Sequence, residues 1–343
     1  MSPIGDPLIL GIHCGHDSGA AIIRGNKILA AVVEERFTRI KHYGYLPIES
    51  INYCLHRAKA DINDLDAIAI AQVSFPEELK PIFKFNQKIL KKKIKAAKGF
   101  KDRIRLGLIG IVRKIVGLPV STPPDYFQTY EIDHNIPIFL IEHHLAHAAS
   151  AYYTSGFQSD NLIVTADGIG DRISTVVWQA NDGIIEPLVK YSREGSLGWF
   201  YGIVTEGLGW WIGNGEGKTM GLAAYGNPNL AKNELVRLLP IYKEGYLQRG
   251  YKFSLPSEWV IKDTRHWHFP ESNFIQNLLK RYKREDIAAA CQALLEEQML
   301  NLVAYWVKKT DVQHLCSAGG VFLNVKMNQY LLNNLDINDY HIF

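Results

Sequence analysis

The chain has 343 residues, 47% hydrophobic and 21% charged, with a formal net charge of +3. That make-up describes an ordinary soluble globular protein large enough for two lobes, and its four scattered cysteines (Cys14, Cys54, Cys291 and Cys316) exclude a disulfide framework or a paired-cysteine zinc knuckle. The amino terminus lacks a secretory leader and no apolar run reaches the roughly 18 residues of a membrane span, so the expected setting is the reducing cytoplasm.

From the amino terminus, "LILGIHCGHDSGAAIIRGNKILAAVVEERF" predicts strand, polar turn, strand, tight "RGNK" turn and strand. In "GHDSG", His16 can serve as a base and Asp17 as an orienting or phosphate-side carboxylate, or Asp17 can simply cap a turn. In "EERFTRIKH", Arg36, Arg39 and Lys41 could hold an anion, or form exposed ion pairs at a strand end. "PIESINYCLHRAKA" predicts a helix and "LDAIAIAQV" a strand. Residues 80–118 follow with 13 Lys/Arg against one acid, Asp102, and apolar residues interleaved at helical spacing. This basic helical insertion could meet nucleic acid, an anionic membrane surface or an acidic partner, or remain a solvated face.

"EHHLAHAAS" places His143 and His147 four apart on one helix face, with His144 pointing elsewhere. Such a pair can present two nitrogens to one metal ion, but two ligands do not make a site, and histidines bonded to carbonyls or water would have the same spacing. "NLIVTADGIGDRISTVVWQANDGIIEPLVKY" repeats the opening pattern, with "DGIGD" and "NDG" as its turns. "GNGEGKTMGLAAYG" ends in Gly-Lys-Thr but has Ile212 where a phosphate-binding loop needs glycine, so it reads as a glycine-dense loop carrying Glu216 and Lys218 for substrate enclosure. "REDIAAACQALLEEQMLNLVAYWVKKT" predicts a long helix, and "CSAGGVFLN" a strand, a Gly-Gly turn and a helix start.

Two βββαβα-like stretches predict a duplicated ribonuclease-H-like α/β fold of the actin, sugar-kinase and heat-shock-ATPase type, with lobes of about 1–150 and 151–343. Nucleotide is expected in the cleft between the first turns, where Gly15–Gly19 and Gly168–Gly170 let backbone approach a phosphate, and where Gly319 and Gly320 free amides.

Taken in order, "GHDSGAA", "EERFTRIKH", "EHHLAHAASAYYTSGF", "TADGIGDR", "EGKTMGLAAYG" and "CSAGGVFLN" resemble the carbamoyltransferase family that includes nodulation-factor and tobramycin-type O-carbamoyltransferases. The resemblance covers nearly the whole chain apart from 80–118 and 227–280, and it implies an actin-like amino-terminal domain similar to tRNA threonylcarbamoyl transferases. In that family a partner domain makes carbamoyl-adenylate from carbamoyl phosphate and ATP, and the amino-terminal domain transfers the carbamoyl group to a substrate hydroxyl. The resemblance implies that His143, His147 and Asp167 ligate a divalent metal, iron or zinc. It further implies His16 as the base with Asp17 beside it, Lys41 at the adenylate, Glu216 and Lys218 at the transfer site, and Gly168, Gly170, Gly319, Gly320 and Asn324 along the nucleotide. The chain ends at "NDYHIF", within an expected strand, before the family's fourth metal ligand and its adenylate-forming domain. That end is expected of a fragment, of half of a split gene with a separately encoded adenylate-forming partner, or of a remnant, and the expected acceptor is a small hydroxyl compound. Transfer to tRNA, which would employ 80–118, and a non-catalytic nucleotide-binding remnant are the other readings.

Overall fold

A computed structural model describes residues 6–44, 46–72, 136–157, 160–261 and 264–343. The basic stretch 80–118 lies outside the described residues. Two compact units divide the chain: Met1–Glu142 with Val260–Arg265, and His143–Trp259 with His266–Phe343.

In the first unit, strands β1 (Leu8–His13), β2 (Gly19–Arg24), β3 (Lys27–Val33), β4 (Ala67–Gln72) and β5 (Ile138–Glu142) form one sheet in the order β3-β2-β1-β4-β5. The hairpins β1–β2 and β2–β3 are antiparallel, and β4 joins β1 in parallel. Alternation places Leu8, Leu10 and Ile12 of β1 on one face, against Ile51, Cys54 and Leu55 of helix α2 (Ile48–Ala58). A one-turn helix, α1 (Glu35–Thr38), precedes α2. The buried carboxylate of Glu34 accepts Glu49 N at 3.0 Å, Ser50 N at 2.8 Å and Ser50 Oγ at 2.6 Å, which satisfies the first amides of α2 and sets its negative charge against the positive helix end.

The second unit repeats the order. Strands β6 (Asn161–Gly170), β7 (Ile173–Asn181), β8 (Ile184–Ser192), β13 (His314–Ala318) and β14 (Asp339–Ile342) run β14-β13-β6-β7-β8, again two antiparallel hairpins followed by parallel strands. This shared topology is the duplicated ribonuclease-H-like fold expected from the sequence. The "NDG" turn closes β7–β8 with Asp182 at φ +49° and Gly183 at φ +80°, the two positive values that a type I′ hairpin requires. The sheet is covered on both faces. Leu162, Val164 and Ala166 of β6 meet Leu294, Leu295 and Met299 of the long helix α8 (Arg284–Thr310) and Phe200 of α4 (Leu197–Gly207) within one core, while Ile163 joins Ala148 and Ala151 of α3 (His143–Ser155) in the other. Because α3 shares that core with the second sheet, it belongs to the second unit, and the division falls after Glu142, ahead of the expected lobe boundary near residue 150.

Two local expectations need correction. "DGIGD" is not itself the turn: β6 continues through Gly170, its register shifts between Ala166 and Gly170, and Asp171 (φ +51°) and Arg172 (φ +69°) make the turn. "GNGEGKTMGLAAYG" is not a loop throughout, because Glu216–Ala223 is helix α5. Its glycines Gly217 and Gly221 face open space and break nothing, while Thr219 is buried and pairs with Thr205 across to α4 at 2.9 Å. The remaining helices are α6 (Pro228–Leu235), α7 (Ser272–Leu278) and α9 (Val325–Asn334), and short strands β9 (Ile241–Lys243), β10 (Tyr246–Arg249), β11 (Ser257–Ile261) and β12 (Thr264–His268) pair as β9–β10 and β11–β12. All four cysteines are buried, as the sequence predicts, and among the described residues no helix is long and apolar enough to cross a membrane.

Candidate functional site

The helix after β5 explains the histidine pair. Buried positions His144, Ala148 and Ala151 form one stripe of α3, pressed on the second sheet. His144 therefore belongs to the core, where its ring nitrogens meet Thr165 Oγ1 at 3.0 Å and the Ile173 carbonyl at 3.1 Å. Burial, then the neighbouring His143, pushes its pKa down to about 4, so this imidazole stays neutral.

His143 and His147 lie on the flanking face. Their Nε2 atoms approach a single oxygen, Asp167 Oδ2, at 3.1 Å and 2.9 Å. The other oxygen, Oδ1, accepts Gly320 N at 2.9 Å. Burial opposes ionisation of Asp167, but the hydrogen bonds from His143 and His147 outweigh it and hold the carboxyl well below the usual carboxylate range. The donor atoms lie within 4.8 Å of one another, and the side chains are 20%, 31% and 20% exposed, so solvent reaches them. Two imidazole nitrogens and an ionised carboxylate oxygen aimed at one point suit iron or zinc.

Glycines shape this cluster. A Cβ at Gly170 would lie 2.1 Å from His143 Cδ2, so the missing side chain is the space the imidazole occupies. Gly319, at φ +102°, turns the chain after β13 so closely under β6 that a Cβ would meet Ala166 O at 2.4 Å, and this delivers the Gly320 amide to Asp167. Gly168 abuts Trp199, and its carbonyl accepts Ser196 Oγ at 2.6 Å. The α3 amino terminus is tied to the same hairpin by His143 N donating to Asp171 Oδ2 at 2.9 Å.

The other expected residues fall elsewhere. Asn324 caps α9 by accepting Met327 N at 2.9 Å and exchanges two amide hydrogen bonds with Gln292, so its side chain is engaged internally. Both oxygens of Glu216 accept backbone amides, from Gly213 at 2.8 Å and Gly215 at 3.1 Å, while Lys218 is exposed on the first turns of α5. In the first unit His16 Nδ1 meets Asp17 Oδ2 at 2.7 Å, and Arg36, Arg39 and Lys41 are exposed beyond β3. His42, at the end of "EERFTRIKH", also reaches Asp17, at 2.9 Å; 25 residues separate the two, and no local spacing signals the contact.

The two sheet repeats, each with an aspartate contacted by two histidines, Asp167 within the first strand of its sheet and Asp17 just past that of the other, set the context for the comparisons. The chain is 30% identical to nodulation protein NolNO of Sinorhizobium fredii over 93% of its own length and 42% of that protein. It is also 30% identical to the uncharacterized protein sll1178 of Synechocystis sp., over 94% of this chain and 52% of that one. Among solved structures it is similar to component A of (R)-2-hydroxyglutaryl-CoA dehydratase from Acidaminococcus fermentans, at 12% identity and a TM-score of 0.48, covering 98% of this chain and 92% of that one. The chain spans about half the length of the curated relatives it matches. Residues 8–343 match the model described as the carbamoyltransferase N-terminus, and the chain belongs to that family.

Proposed function

We propose that this chain performs the transfer step of an O-carbamoyltransferase, moving a carbamoyl group from carbamoyl-adenylate to the hydroxyl of a sugar-like or secondary-metabolite acceptor. Family membership supports the transferase class, and the convergence of His143, His147 and Asp167 on one point carries the choice of an assisted acyl transfer. Carbamoyl-adenylate would come from carbamoyl phosphate and ATP on an adenylate-forming domain, joined to this chain or separately encoded.

In the transfer, the acceptor hydroxyl gives its proton to His16 as its oxygen attacks the carbamoyl carbon, and the bond from that carbon to the phosphate oxygen breaks to release AMP. Asp17 engages Nδ1 of His16, so the proton is received at Nε2. A metal on Nε2 of His143, Nε2 of His147 and Oδ2 of Asp167 would supply Lewis-acid polarisation of the carbonyl or neutralise charge on the leaving phosphate. Asp167 keeps its charge at neutral pH, and Gly320 N holds its free oxygen in place. Exposed Lys41 is the proposed contact to the adenylate, exposed Lys218 is proposed to border the transfer site, and the glycine backbone at Gly168 and Gly319 is the proposed nucleotide lining. Glu216 acts in this scheme by shaping the loop before α5.

The test combines the chain with an adenylate-forming domain of a relative, isotopically labelled carbamoyl phosphate, ATP and a panel of hydroxyl acceptors, read by mass spectrometry. Labelled carbamate ester should form, and His16→Ala should slow it by about 10²–10⁴-fold. Pyrophosphate release without any carbamoylated hydroxyl would overturn the proposal.

A further inference from the structure

In the first unit, Asp17 lies between β1 and β2 with φ +62°, and His42 lies beyond α1 with φ +56°. Left-handed backbone at a non-glycine residue costs about 1 kcal/mol or more, and here two such residues present their side chains to each other. Asp17 Oδ2 meets His16 Nδ1 at 2.7 Å, and Oδ1 meets His42 Nδ1 at 2.9 Å. The imidazoles stack, with centroids 4.4 Å apart and planes 15° from parallel. Ser18 N donating to Tyr43 O, and Glu34 N to Ser18 O, bind the contributing segments together.

Two histidines and an aspartate also make up the Asp167 cluster, but the geometry there differs. Around Asp167 both imidazoles approach one oxygen, and in both groups the three candidate ligand atoms lie within 4.8 Å of one another. Around Asp17 each imidazole has its own oxygen, which is how one carboxylate accepts two N–H donors. Both Nδ1 atoms then carry protons, which leaves the lone pairs on Nε2; both Nε2 atoms are buried in the free chain, so the acceptor hydroxyl has to displace the cover over that of His16 to reach it.

We propose that His42 is a positioning residue: by donating Nδ1–H to Asp17 and stacking on His16, it fixes the orientation and tautomer of His16, with Nδ1–H on Asp17 and Nε2 turned away from it. The proposal rests on His16 being the base of the transfer step. A carboxylate bonded to one imidazole stabilises that imidazolium, and a second donor on the same carboxylate draws away part of its charge. Burial works against ionised Asp17, yet the hydrogen bonds from His16 and His42 hold it well below the usual carboxylate range, so it accepts from both rings throughout the neutral range. The other titratable groups around the cluster are His13, whose Nε2 pairs with the His16 carbonyl at 3.1 Å, Cys14 on the β1–β2 turn, Lys41 and Tyr43 beside His42, and Glu34, which is engaged by α2.

The experiment is an NMR titration of imidazole-labelled chain in wild type, His42→Gly and His42→Asn. Glycine accepts the left-handed backbone and removes the donor, so the variant folds; asparagine accepts that backbone and retains an N–H. The His16 pKa should rise by about 1 unit in His42→Gly and return towards wild type in His42→Asn. With the adenylate-forming partner present, the acid limb of kcat/KM should move to higher pH in His42→Gly by the same amount. An unchanged His16 titration in folded His42→Gly overturns the proposal, and so does stoichiometric Zn²⁺ binding that moves the His16 and His42 resonances together. A shifted titration in a protein that transfers no carbamoyl group would uphold the His42–Asp17–His16 relay and overturn the transferase function.

Discussion

Gly170→Ala tests how the Asp167 cluster is built. The added Cβ would sit 2.1 Å from His143 Cδ2, 2.4 Å from Cγ and 2.5 Å from Nε2, whereas ordinary contact begins near 3.4 Å. The imidazole must therefore retreat by more than about 1 Å, because the methyl group meets the ring itself and not the end of a flexible chain. Nε2 stands 3.1 Å from Asp167 Oδ2, and a retreat of that size takes it out of hydrogen-bond reach and away from the point it shares with His147. Disturbing a residue that only supports a metal ligand costs about 10–100-fold in affinity, and if His143 is a ligand as proposed, displacing it should cost about 100-fold or more. Overpacking should also destabilise the second unit by about 1–3 kcal/mol. Isothermal titration of chelator-stripped chain with Zn²⁺ reads the first effect and thermal unfolding the second. Wild-type zinc affinity together with wild-type melting in Gly170→Ala would refute the argument that this glycine makes room for His143.

Further outcomes follow from particular contacts. Asp167→Asn should abolish stoichiometric zinc binding in elemental analysis while leaving the circular dichroism spectrum unchanged, since the amide can still accept Gly320 N. Glu34→Ala, which strips the first amides of α2 of their buried carboxylate, should lower stability by about 2–4 kcal/mol in denaturant unfolding without altering zinc affinity. Asn324→Ala removes the α9 cap and leaves Gln292 without its amide partner, so melting should fall by the equivalent of about 1–3 kcal/mol. Gly221→Ala, in open space within α5, should stabilise the chain by about 0.5–1 kcal/mol, and a loss of stability there would speak against the helix.

Much of this protein is legible along the chain because its determinants are local. Alternating apolar residues and the "NDG" turn specify the β6–β8 hairpins, and the i, i+4 spacing of His143 and His147 follows from helix geometry alone. The helix at Glu216–Ala223 was hidden because glycine density reads as loop, and only packing, with Thr219 buried against Thr205, shows that Gly217 and Gly221 interrupt nothing. Likewise "DGIGD" reads as a turn until the register of β6 against β7 extends the strand to Gly170.

The sequence by itself determined the duplicated strand pattern and the histidine face of α3, because each depends on residues a turn or a hairpin apart, and the family, because six motifs follow in order along the chain. The family resemblance, and no spacing rule, pointed to Asp167 as the carboxylate those histidines share, and tertiary structure alone decided how closely they meet, why Gly170 must lack a side chain, and that His42 joins His16 on Asp17. Those contacts span 24, 27 and 25 residues. Contacts at that range form only when separate strands and helices pack together, and no spacing rule along the chain encodes them.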